Sequence, residues 1–181
     1  MGVDEEMDHG PILANSRLPI ADSDTYESLS KKLAILGAKL LIKTIPNHIS
    51  GKIKPIPQDH SLATYTKIIK KEDGKIDWSK SAKEIERMTR AYYPWPGAWT
   101  VWNNKILKIF ESEISEENEN KVGEVFLLQH PYILENVRML WGVKCGKDSL
   151  IIKKLQLEGG KILSVQEFLN GHKNFIGSIL E

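Results

Sequence analysis

The chain has 181 residues, 41% of them apolar and 27% charged, with a net charge of +1. That is enough apolar material to bury the core of one domain, or of one domain with an appendage. No apolar run approaches eighteen residues and Cys145 is the only cysteine, which excludes a helical membrane span, an internal disulfide and a zinc site built from paired thiols.

Residues 1–13, Met-Gly-Val-Asp-Glu-Glu-Met-Asp-His-Gly-Pro-Ile-Leu, read as a strand, a carboxylate loop and a second strand. Asp4 and Asp8 bracket the acidic turn, and so acidic an opening is not a secretory signal, so the expected compartment is the cytoplasm. On pattern alone, Asp8 before Gly10 suits a turn former as well as a catalytic group. Neighbours in an extended strand face opposite ways, so His9 is expected to be structural rather than a second base beside Asp8.

Thr25 to Ile45 has Leu29, Leu33, Leu36, Leu40 and Ile45 at helical spacing, with Asp24 as the expected N-cap, Glu27 at the capping-box position and Pro46 as the stop. From Asn47 to Lys71 the chain carries Gly51, Pro55 and Pro57 among polar residues and reads as an extended linker. Charge is uneven here. Residues 1–24 hold six acidic side chains and one basic, whereas residues 25–71 hold nine lysines against Glu27 and Asp59, a net of +7. Lys52, Lys54, Lys67, Lys70 and Lys71 make the linker a candidate phosphate-binding segment. The helix lysines Lys31, Lys32, Lys39 and Lys43 fit either that use or a solvated face.

Ser81 and Glu84 form a capping box for a second helix with Ile85, Met88 and Tyr92 on its apolar face, stopped by Pro94 and Pro96. Period-two segments follow at residues 98–102, 106–110, 122–128, 137–143 and 150–155, with Asn103-Asn104 as a tight hairpin turn. Five short strands suggest a small closed barrel. Cys145 is expected to be a small buried hydrophobe, and Trp95, Trp99 and Trp102 core or turn anchors. Ser164 and Glu167 cap a last helix ending at Gly171.

Several strings carry a resemblance: Met1 to Leu13 with its Asp4-x-x-x-Asp8-x-Gly10 spacing, Pro57-Gln58-Asp59 through Tyr65, Lys71 to Trp78, Arg90-Ala91-Tyr92-Tyr93-Pro94-Trp95-Pro96-Gly97-Ala98, Leu155 to Lys161, and Phe168-Leu169-Asn170-Gly171. Together, in this order, they resemble the methionyl-tRNA formyltransferase family. The resemblance implies an α+β chain in three parts. Residues 1–46 would be the C-terminal remnant of a Rossmann-like α/β formyltransferase domain, 47–72 a basic linker, and 73–181 an oligonucleotide-binding-like (OB-like) barrel with flanking helices that binds tRNA.

It further implies transfer of formyl from 10-formyltetrahydrofolate to the amino group of initiator Met-tRNA, with no metal and no membrane. Asp8 would be the catalytic carboxylate, Asp4 and Asp8 would meet the folate, and Lys52, Lys54, Lys67, Lys70, Lys71 and Arg90 would meet the tRNA. In the family, an Asn-x-His pair upstream works with the aspartate. No such upstream pair precedes Asp8 here, so the chain by itself is expected to be inactive, with a separate N-terminal formyltransferase segment as a candidate partner that would complete it. Two other readings stay open, a stand-alone RNA-binding module and part of a sugar-nucleotide formyltransferase.

Overall fold

The computed structural model describes residues 1–116, 119–128 and 140–181. The chain divides into two compact units, Met1–Ile68 and Ile69–Glu181.

In the first unit, helix α1 spans Tyr26–Ile49. Its N-cap is Thr25, one residue later than expected, and its capping box pairs Thr25 with Ser28 rather than Asp24 with Glu27. Asp24 stays close by, accepting from Ala21 N at 2.9 Å, Ser28 Oγ at 2.8 Å and Lys32 Nζ at 2.5 Å. Glu27 instead pairs with Lys31 one turn on, at 2.6 Å. Pro46 does not end the helix. It sits inside the last turn, where proline removes a single N–H, and Ser50 N closes that turn by donating to the Pro46 carbonyl at 3.0 Å. Leu33, Ile35, Leu41, Ile42, Ile45 and Ile49 along α1 are exposed.

The expected strands within residues 1–13 do not form. Among the described residues the only ladder contact there is the bridge Ile12–Ile56, and Gly2 N donates to Pro11 O at 2.8 Å, which folds the segment into a closed loop. Strands persist only when their backbone groups are paired along a sheet, and one bridge does not supply that. Residues 50–68 hold one turn of 3₁₀ helix, His60–Leu62.

The second unit begins with a 3₁₀ turn over Lys71–Gly74 and then helix α2, Ala82–Tyr92, capped by Ser81 and Glu84 as the sequence predicts. Strands β1 (Ala98–Trp102), β2 (Lys105–Ser115), β3 (Val125–Leu128), β4 (Leu140–Lys144), β5 (Ser149–Leu157) and β6 (Leu163–Ser164) follow, and α3 (Val165–Gly171) is capped by Ser164 and Glu167. The hairpin between β1 and β2 turns at Asn103 and Asn104, with φ of +49° and +60°, the left-handed pair that a two-residue turn requires. The expected strand at 137–143 begins outside the described residues; the described part is β4.

Among the described residues the strands pair antiparallel, in the order β1-β2-β5-β4-β3, with β6 added to β5. The sheet is therefore open, not the closed barrel the strand pattern suggests. Among the described residues β1 and β3 do not pair, and the chain end lies along both instead. Glu181 and Val101 exchange backbone bonds of 3.0 and 3.2 Å, Val125 N donates to Ser178 O at 2.9 Å, and Leu180 N donates to Gly123 O at 2.9 Å. This satisfies edge groups that would otherwise be left unpaired.

The core lies between the sheet and its helices. Ile76, Trp78, Ala82 and Ile85 pack with Leu107, Ile109, Val143, Leu150, Ile152 and Leu155. At one end Trp102, Phe168 and Phe175 meet edge to face with centroids 5.2–5.7 Å apart, a geometry that adds to their area burial. Cys145 is fully buried just past β4, as expected for a small hydrophobe.

Candidate active-site loop and nucleic-acid interface

Asp8 lies at the tip of the closed loop, exposed, with φ of +57°. This left-handed conformation is one that aspartate tolerates better than most residues. Among the described residues no hydrogen bond or ion pair engages its carboxylate; its backbone carbonyl accepts from Gln58 Nε2 at 3.0 Å. The same nitrogen donates to Gly10 O at 2.7 Å. Gly10 has to be glycine for a steric reason, since a Cβ there would lie 2.2 Å from the Gly2 carbonyl oxygen.

Asp4 is used differently. Its Oδ2 is 2.9 Å from His9 Nδ1, and that hydrogen bond holds its carboxyl below the usual range. His9 in turn stacks on His60, centroids 3.4 Å apart and planes 7° from parallel. His9 thus serves Asp4 and His60 rather than Asp8. Asp59 is lowered by the Ser61 hydroxyl and amide, which it accepts at 2.6 and 3.0 Å. Sequence reasoning passed over Gln58 and His60. The Pro57-Gln58-Asp59 string marks the segment, but no spacing rule links residue 58 to residues 8–10.

The candidate tRNA lysines are all exposed. Lys52, Lys54 and Lys67 belong to the first unit, Lys70 and Lys71 to the second. The backbone under the latter pair is fixed: Lys70 N donates to Asp73 Oδ2 at 2.8 Å and Lys71 O accepts the indole N–H of Trp99 at 3.0 Å. Trp99 is therefore a turn anchor, Trp102 is core, and Trp95 lies in the turn after α2, 60% exposed and so not part of the core. Its surroundings, Tyr93–Pro94 and Trp95–Pro96, are both cis peptides. Arg90 lies in the last turn of α2, half-buried, its Nε donating to Glu86 Oε1 at 2.6 Å and its Nη2 to Glu86 Oε2 at 3.1 Å.

The one Asn-x-His string in the chain is Asn170-Gly171-His172 at the end of α3. The His172 ring lies 4.3 Å from Phe168 and 5.5 Å from Trp102 and is committed to packing. No helix of the described residues is long and apolar enough to cross a membrane.

Residues 68–173 match the family described as formyl transferase, C-terminal domain, and the chain belongs to it. Curated relatives bear a narrower name. The chain is 39% identical over 178 residues to the methionyl-tRNA formyltransferase of Myxococcus xanthus, covering 98% of this chain and 54% of that protein. It is 40% identical over 183 residues to that of Methylacidiphilum infernorum, covering 98% and 55%. The chain thus spans about half the length of the curated relatives it matches.

Solved structures share the fold. HypX from Aquifex aeolicus in complex with tetrahydrofolic acid superposes with a TM-score of 0.61 at 19% identity, covering 96% of this chain and 29% of that one. The N-formyltransferase from Helicobacter canadensis, solved with folinic acid and dTDP-3-aminofucose, gives 0.57 at 20% identity, covering 83% and 52%.

Proposed function

We propose that this chain is the C-terminal half of a methionyl-tRNA formyltransferase activity, moving formyl from 10-formyltetrahydrofolate to the amino group of initiator Met-tRNA. The observation that carries the reading is the identity of 39–40%, sustained over 98% of the chain, to proteins bearing that name. A folate as the donor is supported by the HypX and Helicobacter structures, which hold tetrahydrofolic and folinic acid.

In the reaction, the methionyl amine attacks the formyl carbon, an N–C bond forms, the bond from that carbon to folate N10 breaks, and the proton shed by the amine is passed on so that the departing N10 leaves protonated. Asp8 is the carboxylate for that traffic. It is exposed, it sits on a loop tip, and its side chain is not tied down as Asp4 is by His9. Asp4 is the second carboxylate of the same loop, beside the folate, and keeps His9 in place.

Lys52, Lys54, Lys67, Lys70 and Lys71 contribute phosphate contacts. Arg90 enters the proposal through the helix end it braces, because Glu86 occupies the Nε–Nη2 edge that would fork onto a phosphate. The division into a formyltransferase remnant at 1–46, a basic linker at 47–72 and a tRNA-binding domain at 73–181 belongs to the same proposal.

The test is a chimera in which this chain replaces the C-terminal half of the Myxococcus xanthus relative. It should formylate Met-tRNA, Asp8→Asn should remove most of the rate, and the 181-residue chain alone should transfer nothing. A folded chimera without activity overturns the reading.

A further inference from the structure

The acidic loop is held by the segment around residue 58. The Gln58 side chain is half-buried, and both hydrogens of its amide face loop carbonyls, Asp8 O at 3.0 Å and Gly10 O at 2.7 Å, across 50 and 48 residues of chain. Either side of it the two segments are joined again. Ile12 and Ile56 exchange backbone bonds of 2.8 and 2.9 Å, and the His9 and His60 rings stack. Between these contacts the loop keeps Asp8 at φ +57° and Gly10 against the Gly2 carbonyl. Aspartate tolerates that region without requiring it, so the contacts on either side are what hold the loop there.

We infer that Gln58 is a positioning residue for the Asp8 carboxylate, clamping the carbonyls on both sides of His9 so that the loop presents Asp8 in one conformation. The inference rests on the reading that Asp8 takes part in formyl transfer. It also specifies the side chain. Asparagine is one methylene short of both carbonyls, and glutamate, of the same length, has no hydrogen to donate and turns a negative charge toward two carbonyl oxygens.

Steady-state formylation of Met-tRNA by the chimera described above tests it, using Gln58→Glu, Gln58→Ala, Asp8→Asn and the double variant Asp8→Asn/Gln58→Glu. A misplaced catalytic group costs on the order of 100-fold. Gln58→Glu should therefore lower kcat by about that factor, with KM for Met-tRNA and for the folate within about twofold of the parent. Gln58→Ala, which adds no charge, should do the same less severely. The double variant should be no slower than Asp8→Asn alone, because Gln58 has nothing to position once the carboxylate is gone.

Full kcat in both Gln58 variants overturns the inference while leaving Asp8 in place, as do losses that multiply in the double variant. Full rate in Asp8→Asn overturns the Asp8 assignment, and the positioning role falls with it.

Discussion

The indole N–H of Trp78 donates to the hydroxyl of Thr100 at 3.0 Å, and Thr100 passes its own proton on to the Glu181 carbonyl at 2.8 Å. Thr100 is fully buried, so this two-bond relay ties the segment before α2, strand β1 and the chain end together in the core. Thr100→Val keeps the volume and removes the relay. It leaves a buried indole N–H without an acceptor, which costs about 1–3 kcal/mol. Urea unfolding of the variant should show that loss at an unchanged slope, and a midpoint equal to the parent's would contradict the relay.

Asp24 gives a pH prediction for the first unit. Lys32 foremost, then Ala21 N–H and Ser28, hold its carboxyl down at about 2, against an ordinary value of 3.8. A folded-state value below the unfolded one means the contribution is present above pH 3.8 and lost as pH falls toward about 2. Asp24→Asn should therefore lower the stability of the α1 N-terminus at neutral pH, and the difference from the parent should vanish near pH 2. Hydrogen exchange across residues 25–32 measures it, and a difference that survives unchanged in acid would contradict the assignment.

The Cys145 thiol is pushed up to about 12 by burial, from an ordinary value of 9.0. Only a thiolate reacts readily with alkylating reagents, so Cys145 should stay unmodified at pH 8 in the folded chain and react at once in denaturant. Above pH 9.0 the unfolded chain ionises this group and the folded chain does not, so its contribution to stability is lost between pH 9.0 and about 12. Rapid labelling of the native chain at pH 8 would contradict the buried placement.

The sequence carries the caps most clearly, because they depend on residues three apart: Ser81 with Glu84 and Ser164 with Glu167 both form as read. Strand β1 and the Asn103-Asn104 turn follow from alternation and from the tolerance of asparagine for positive φ. What fails depends on partners distant in the chain. Pro46 is the exception, staying helical because it falls in the last turn where it removes a single N–H, whereas residues 1–13 form a loop because they meet Ile56 and Gln58 instead of a sheet. The barrel stays open because the chain end, which carries no strand signal, takes the edge of β1 through Val101. The loop that carries Asp8 is marked by its motif, whereas the contacts of Gln58 and His60 with it join residues about fifty apart and leave no signal in the sequence.

The proposed lysine contacts to tRNA make a salt prediction. Each phosphate contact contributes a slope of about 0.7–0.9 in the logarithm of affinity against the logarithm of salt. Binding of tRNA by the 181-residue chain should weaken steeply with salt, and Lys52→Ala/Lys54→Ala should flatten the slope by roughly 1.4–1.8. Filter binding or fluorescence anisotropy at several salt concentrations reads this directly. An unchanged slope would remove these two lysines from the interface.

The most direct measurement offers the chimera two acceptors side by side, Met-tRNA and a nucleotide-linked amino sugar, with labelled 10-formyltetrahydrofolate as donor. Label on the methionyl amino group, lost in Asp8→Asn, is the predicted result. Label on the amino sugar alone, or on neither acceptor with tRNA binding retained, would contradict the account.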